Sequence, residues 1–492
     1  MLSDKGTNIF SEIGKFFNEN DATSAMNAII DMTKALRLSE KRLFGSESRC
    51  NCKLTQLQVL GLLMLFPCFM IRNAYNYGKS SLCGLFDCRK DVFYRFISNE
   101  SYDWRKILAT VSLQLWNKAQ EQRTTDSTEP VCLMVDDTDY PKRGIQTELI
   151  GKIYSHVTHS MMLGFKGLFI GITDGISQIL LDFAIVGEEG KKGNYGLKQK
   201  QLDARFSKEH DKESHTARRI EEYNQSKIAL MIEMIRRIIK RKIHFDYVLA
   251  DSWFACAEVI KFITSRHVRC HYLGMIKMGK TKYIYKGKEY TANQLAALFD
   301  KPKKGRKYSR RLGCWYITAD VTFAGRSVRL FFTKRDKRGK WNGLITTNKE
   351  LDFFEAYRIY SMRWSLEVVF KESKQNLGLG KYQMRRSALP LGSSKNFSSQ
   401  IAMTVITAMQ YNLLSTAKRF SDYETVGGLF NDAVKGSVEL TLTERIWDMI
   451  LEMVRMIAEC FNIENEEIFD TLLNWSDKLS RFVELYQLKQ AS

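Results

Sequence analysis

Proline is scarce in this chain, with five in 492 residues, and no low-complexity tract accompanies it. Long disordered linkers are therefore excluded, and folded regions should follow one another closely. Ten cysteines are present, but Cys50-x-Cys52, Cys83-x4-Cys88 and Cys256…Cys270 lack the paired C-x2-C spacing of a structural zinc site. The amino terminus carries no secretory signal, so reduced thiols in a cytoplasm are the expectation. The longest apolar run, Val59 to Ile71, is too short to span a bilayer and is interrupted by Pro67. It reads as a buried helix, and no membrane is expected as a partner. The seven histidines are scattered; His156-x2-His159 and His267-x3-His271 read as core or surface residues before they read as ligands. Acid is the minority charge. Lysine and arginine number 75 against 55 aspartates and glutamates, a formal charge of +20, which points to a polyanion and most directly to nucleic acid.

What is present suffices for large cores: 44% of residues are hydrophobic and 12% aromatic, enough for about two to four domains. Five regions follow from the patterning. Residues 1–120 have recurring apolar positions and few β-branched runs, as expected of a helical region, either a DNA-binding one or an ordinary helical subdomain. In it, Asp91-Val-Phe-Tyr-Arg-Phe-Ile97 and Trp104-Arg105-Lys106 mix aromatics with cations.

Residues 121–278 change character. Val131-Cys-Leu-Met-Val135 is a short apolar run ending in Asp136-Asp137-Thr138-Asp139, a buried strand delivering acids at its carboxyl end. Strands are expected at Leu168–Thr173 and Gln178–Val186, then one long helix from Ser214 to Lys242. Phe245-Asp-Tyr-Val-Leu-Ala250 repeats the device, ending at Asp251; a helix over Ala255–Ser265 and a strand over Cys270–Met278 follow. This is a mixed α/β layer, and sites in such sheets lie at strand carboxyl ends. The competing fate for Asp251 is to cap a helix starting at Ser-Trp-Phe-Ala.

Residues 279–350 alternate in short segments such as Lys282–Tyr285, Trp315–Val321 and Val328–Phe332, a β-rich insertion. It holds the densest basic cluster: seven of the eleven residues from Lys301 to Arg311 are Lys or Arg, among them Lys303, Lys304, Arg306 and Arg310. Lys334-Arg335-Asp-Lys337-Arg338-Gly-Lys340 precedes Trp341 directly. Such cations can track phosphates while an aromatic stacks on a base. Residues 395–492 read as helical, with Ser399–Arg419 and Glu439–Phe461 as long apolar-striped helices suited to packing on the core or to dimerisation.

The most specific signal lies in residues 351–394. On a continuous helix Tyr360, Arg363, Glu367 and Lys374 fall at roughly 0°, 300°, 340° and 320°, an arc of about 60°. Ile359, Met362, Leu366, Val369 and Ser373 form the neighbouring, mainly apolar arc. A lone acid thus sits between two bases and a tyrosine.

These four residues match, in type and spacing, the Tyr-x2-Arg-x3-Glu-x6-Lys signature of the insertion-sequence-four family of bacterial DDE transposases. Chance would supply it in about one such chain in a hundred or two. Asp136-Asp137-Thr138 resembles the family's first catalytic aspartate, which precedes Thr or Ser by two, and Asp251 resembles the second; the likeness covers about residues 90 to 390. The resemblance implies an RNase H-like catalytic core with the β insertion before the Glu367 helix. It further implies two divalent ions, Mg²⁺ with Mn²⁺ as substitute, held by Asp136, Asp251 and Glu367. Tyr360, Arg363 and Lys374 would bind phosphates at the transposon end, and Trp341, with Trp315 second, would stack a flipped base. By type alone Asp137 remains open as the first ligand. The implied partners are double-stranded DNA, as terminal inverted repeats and target, and a second copy of the chain in a homodimer. An RNase H-like nuclease without strand transfer, or a non-catalytic DNA-binding descendant, is the competing reading.

Overall fold

The computed structural model describes residues 24–48, 52–80, 82–83, 86–123, 127–301, 305–336, 338–382 and 396–437, with 453, 456 and 471. Two compact units divide the chain, Met1–Asp103 with Leu413–Ser492 and Trp104–Asn412.

The first unit holds α1 (Ser24–Lys34), α2 (Glu40–Phe44), α3 (Gln56–Leu65), α4 (Ala74–Tyr77) and α5 (Lys90–Ile97). The apolar run beginning at Val59 is buried in α3, which opens with a reciprocal capping box between Thr55 and Gln58. Phe66, Tyr77 and Phe93 pack with ring centroids 4.8 to 5.7 Å apart. The aromatics Phe93 and Phe96 of α5 therefore serve this unit's core. The expected helix Glu439–Phe461 lies outside the described residues except for 453 and 456, which are helical.

The second unit runs α6 (Trp104–Gln120), β1 (Cys132–Pro141), β2 (Gly151–Ser155), β3 (Ser160–Thr173), β4 (Gln178–Val186), α7 (Gln199–Asp203), α8 (His215–Tyr223), α9 (Lys227–Lys240), β5 (Tyr247–Ala250), α10 (Ala257–Ile263) and β6 (His271–Ile276). It continues through β7 (Lys282–Tyr285), β8 (Lys288–Thr291), α11 (Ala292–Phe299), β9 (Lys307–Ser309), β10 (Cys314–Phe323), β11 (Arg326–Lys334), β12 (Asn342–Thr346), α12 (Phe353–Ser361), α13 (Trp364–Glu372) and the start of α14 (Phe397–Arg419). All twelve strands join one sheet.

Its central part reads β4-β3-β1-β5-β6, with β3 antiparallel to β1 and β4, and β5 and β6 parallel to β1. Three antiparallel strands followed in space by two parallel ones is the RNase H-like arrangement, and the fold is α/β with that core. β12 pairs antiparallel with both β6 and β11, so the β-rich insertion extends the core sheet sideways. α11 is a helix inside this otherwise β region, started by a second capping box at Thr291 and Gln294. The expected single helix Ser214–Lys242 is two. α8 ends at Tyr223 with Asn224 as its cap, and the Ser226 hydroxyl accepts from the Ala229 amide to start α9. Ser and Asn compete for backbone bonds, so they break helices as readily as they begin them.

β3 and β4 are buried almost throughout because helices α6, α8 and α9 pack against the sheet. At the register shift between Ile170 and Gly171, the buried Asn412 amide donates to the Leu180 carbonyl and accepts from the Leu180 amide. Beyond it Asp182, 1% exposed, accepts from Arg105 at 3.0 Å and Arg237 at 2.7 Å. Burial alone would raise this carboxyl, yet Arg105 and Arg237 outweigh it and hold it below the usual range.

Candidate active site

The first two acids are brought together by strand register. β1 and β5 pair in parallel from Cys132–Tyr247 to Val135–Ala250. The next residue on each strand is an aspartate, so Asp136 and Asp251 emerge side by side where β5 ends. β1 does not end there. It continues to Pro141 against β3 alone, which places Asp136 within a strand rather than at its terminus. Behind the two acids Leu133 to Val135 and Val248 to Ala250 are all fully buried. Asp251 caps no helix: its Oδ1 accepts from the Trp253 amide at 2.9 Å in a local turn, and α10 starts only at Ala257, after Cys256.

The third acid arrives on α13. α12 is capped by Asp352 and packs Ala356 and Ile359 against a cluster that includes Tyr247, Leu249 and Leu273. The helix expected to run unbroken from Tyr360 to Lys374 does not. Arg363, Ser365 and Leu366 donate to the carbonyls three residues back, which overwinds the chain between α12 and α13. A π-helical turn, Ser373–Leu377, then underwinds it before Lys374 has completed the face. The arc of about 60° read on an ideal helix is therefore not the geometry that gathers these residues.

Arg363 is the centre of what does gather. Its Nη1 donates to Asp136 Oδ2 at 2.6 Å and its Nη2 to Glu367 Oε1 at 2.6 Å. The Arg363 guanidinium lies 5.7 Å from the Tyr360 ring centroid. Burial raises the Tyr360 phenol; Arg363 opposes the shift, and Asp251 and Asp136 reinforce it. Burial likewise pushes Asp136 up to about 6, opposed by Arg363 and reinforced by Asp251 and Asp137. Asp251 is raised by burial first and by Asp137 next. Burial lowers the Lys374 ammonium, and Asp139 opposes the shift.

Asp137 and Asp139 are otherwise engaged. Asp137 is ion-paired with Lys227 at the start of α9, and Asp139 with Lys166 at 2.5 Å. Of the acids in this run, Asp136 is the one joined through Arg363 to Glu367.

Among the described residues no three acids, histidines or cysteines already converge as a cage for a metal ion. The donor set nonetheless suits hard divalent cations. Asp136 and Asp251 are half-buried carboxylates raised first by burial, Glu367 is linked to Asp136 through a guanidinium, and all are oxygen donors. Because ligation needs Asp136 deprotonated, Mn²⁺ affinity at low salt should fall as pH drops below about 6, read by calorimetric titration from about pH 7.5 to about pH 5. The sign for stability is the opposite. The folded state takes up this proton before the unfolded chain does, so Asp136 costs stability above about pH 6 and the cost is relieved on acidification through that value.

The insertion residues are placed unevenly. Trp315 is covered by Arg306, 4.7 Å from its ring, and by Tyr308 at 4.8 Å between centroids. Trp341 has Lys334 Nζ at 4.2 Å. Asp300 holds both Arg306, at 2.8 Å, and Lys334, at 3.1 Å. Arg310 is exposed; Lys303 and Lys304 lie outside the described residues. A cavity of about 490 Å³ does connect the insertion to the Tyr360 helix, lined by Lys334, Arg335 and Lys340 on one side and Tyr357 and Tyr360 on the other. Trp253 and the lysines Lys277, Lys227 and Lys166 make contacts around these acids that the sequence did not announce. Only Trp253, two residues after Asp251, offered a local signal.

Residues 85–292 match a family model described as DDE superfamily endonuclease. The matched stretch includes Asp136 and Asp251 and stops before Glu367. Its description stands at the level of the DDE superfamily and does not name the insertion-sequence-four family. No curated protein matches the sequence. Among solved structures the chain is similar to a piggyBac transposase synaptic complex with hairpin DNA, at 10% identity and a TM-score of 0.40, over 90% of this chain and 82% of that one. It is also similar to the NurA nuclease from Sulfolobus solfataricus, at 12% identity and a TM-score of 0.22, over 61% and 93%. Among the described residues no helix is long and apolar enough to cross a membrane.

Proposed function

We propose that the chain is a DNA transposase of the DDE type that cuts DNA at the ends of a mobile element and joins the freed 3′ ends to target DNA. The observation that carries this is the parallel register that sets Asp136 beside Asp251, with Glu367 tied to the pair through Arg363. Asp136, Asp251 and Glu367 would hold two divalent ions, Mg²⁺ or Mn²⁺. Such ions, when bound, lower the pKa of an attacking hydroxyl and stabilise the leaving oxygen of a phosphodiester.

The chain's own groups do the rest. Arg363 has two kinds of partner: the carboxylates it bridges here, and a DNA phosphate, which its planar fork fits equally well. Lys374 lies near enough to Asp139 to shift its carboxyl, and from there it can hold a second phosphate as a point charge. Tyr360 closes the other side, its ring against Arg363. The cavity shared with Lys334, Arg335 and Lys340 continues the basic surface into the insertion, so one duplex can touch both. Joining two ends in one event calls for two copies of the chain, hence a homodimer on paired ends.

The test is incubation with a plasmid carrying the candidate terminal inverted repeats, a target plasmid and Mg²⁺. End cleavage and a joined product are expected. Cleavage with no joined product would leave a nuclease and overturn strand transfer.

A further inference from the structure

Next to the acids the chain exposes its largest side chain type. Trp253 is 58% exposed, whereas its neighbour Phe254 is 2% exposed and anchors the turn. A tryptophan left in water forgoes a large burial gain, so its position calls for a reason. The Trp253 amide is bound to Asp251 Oδ1 at 2.9 Å, which ties the backbone under the ring to one of the acids. Lys277, just past the end of β6, sits with Nζ 4.4 Å from the ring centroid. Lys227 lies 6.0 Å from the same centroid and is paired with Asp137. Thus an open aromatic face tied to Asp251 has two cations against it, one of them paired with Asp137. The two tryptophans of the insertion differ: Trp315 is covered by Arg306 and Tyr308, and Trp341 is only partly exposed.

We propose that Trp253, flanked by Lys277 and Lys227, is a stacking platform for an unpaired nucleobase adjoining the phosphodiester held at the acids. Aromatic stacking on bases is tolerant of sequence because every base has a π-face, and the lysines supply the phosphate attraction that stacking lacks. The ligand class is thus single-stranded DNA continuous with a duplex, such as a frayed or cut end. This rests on the DNA-cleaving reading above and adds to it a residue and the strand state that it takes.

The experiment compares a blunt duplex with the same duplex bearing a short single-stranded 3′ tail, both fluorescein-labelled, with the full-length protein in Ca²⁺ to prevent cutting. Wild type should bind the tailed duplex about tenfold more tightly than the blunt one. Trp253→Ala should abolish that preference without weakening binding to the blunt duplex, and Trp253→Phe should retain most of it. A 2-aminopurine in the tail should be quenched by wild type and not by Trp253→Ala. Equal affinity for the two duplexes, or an undiminished preference in Trp253→Ala, overturns the platform. A parallel Mg²⁺ reaction separates the two failures: wild type that cuts DNA but ignores the tail refutes only the platform. Wild type that neither cuts nor binds DNA refutes the nuclease reading beneath it.

Discussion

Asp136→Asn should reduce Mg²⁺-dependent DNA cleavage by on the order of a thousandfold or more, about 4 kcal/mol in activation free energy, while DNA affinity stays within about twofold. The substitution keeps shape and removes charge. It leaves Arg363 with Glu367 as its remaining carboxylate partner, so the local fold should hold. Asp137→Asn is the internal comparison, because Asp137 is already engaged by Lys227 and alternates to the other side of β1. It should keep most activity. End-labelled DNA resolved on a denaturing gel reads both variants, and the reverse ranking would move the first ligand to Asp137.

The largest expected effect on stability lies away from the acids. Asp182→Ala removes a fully buried carboxylate that accepts from Arg105 and Arg237 and lies 3.9 Å from Arg219. The guanidiniums left behind cannot regain water, and breaking a buried network in this way costs about 3–5 kcal/mol. Glu222, bound by Arg105 at 2.7 Å and Arg219 at 3.3 Å, offsets part of this, which places the expected loss toward the lower end. Urea unfolding followed by fluorescence measures it. A loss under about 1 kcal/mol would show that the network is not a stabilising element.

Much of the architecture was legible because strands buried on both faces read as continuous apolar runs. β4 lies over the span the sequence suggested, Gln178–Val186, and β10 and β11 contain the alternating segments picked out in the insertion. What escaped was decided by tertiary contacts. β1 runs past its apolar stretch through Asp136 to Pro141 because β3 continues to pair with it, which no local pattern encodes. β2 is short and half polar, and it exists as the hairpin partner of β3.

At the site, residue types and spacing pointed to Tyr360, Arg363, Glu367 and Lys374, but the helix they were placed on is overwound at Arg363 and underwound at Ser373. A periodicity argument assumes a uniform twist, and these hydrogen bonds violate it. Likewise the register that sets Asp136 beside Asp251 is a pairing between strands more than a hundred positions apart in the chain. Trp253 went unweighed because an aromatic in an apolar-looking turn reads as core until its exposure is known.

Counting bound metal in a DNA complex reaches the central claim most directly. With Mn²⁺ as the probe and a tailed duplex bound, electron paramagnetic resonance titration should show about two ions per chain in wild type. Asp136→Asn, Asp251→Asn and Glu367→Gln should each lose at least one of them. Three variants that bind as many ions as wild type, with the same affinity, would contradict the assignment of these acids as the metal centre.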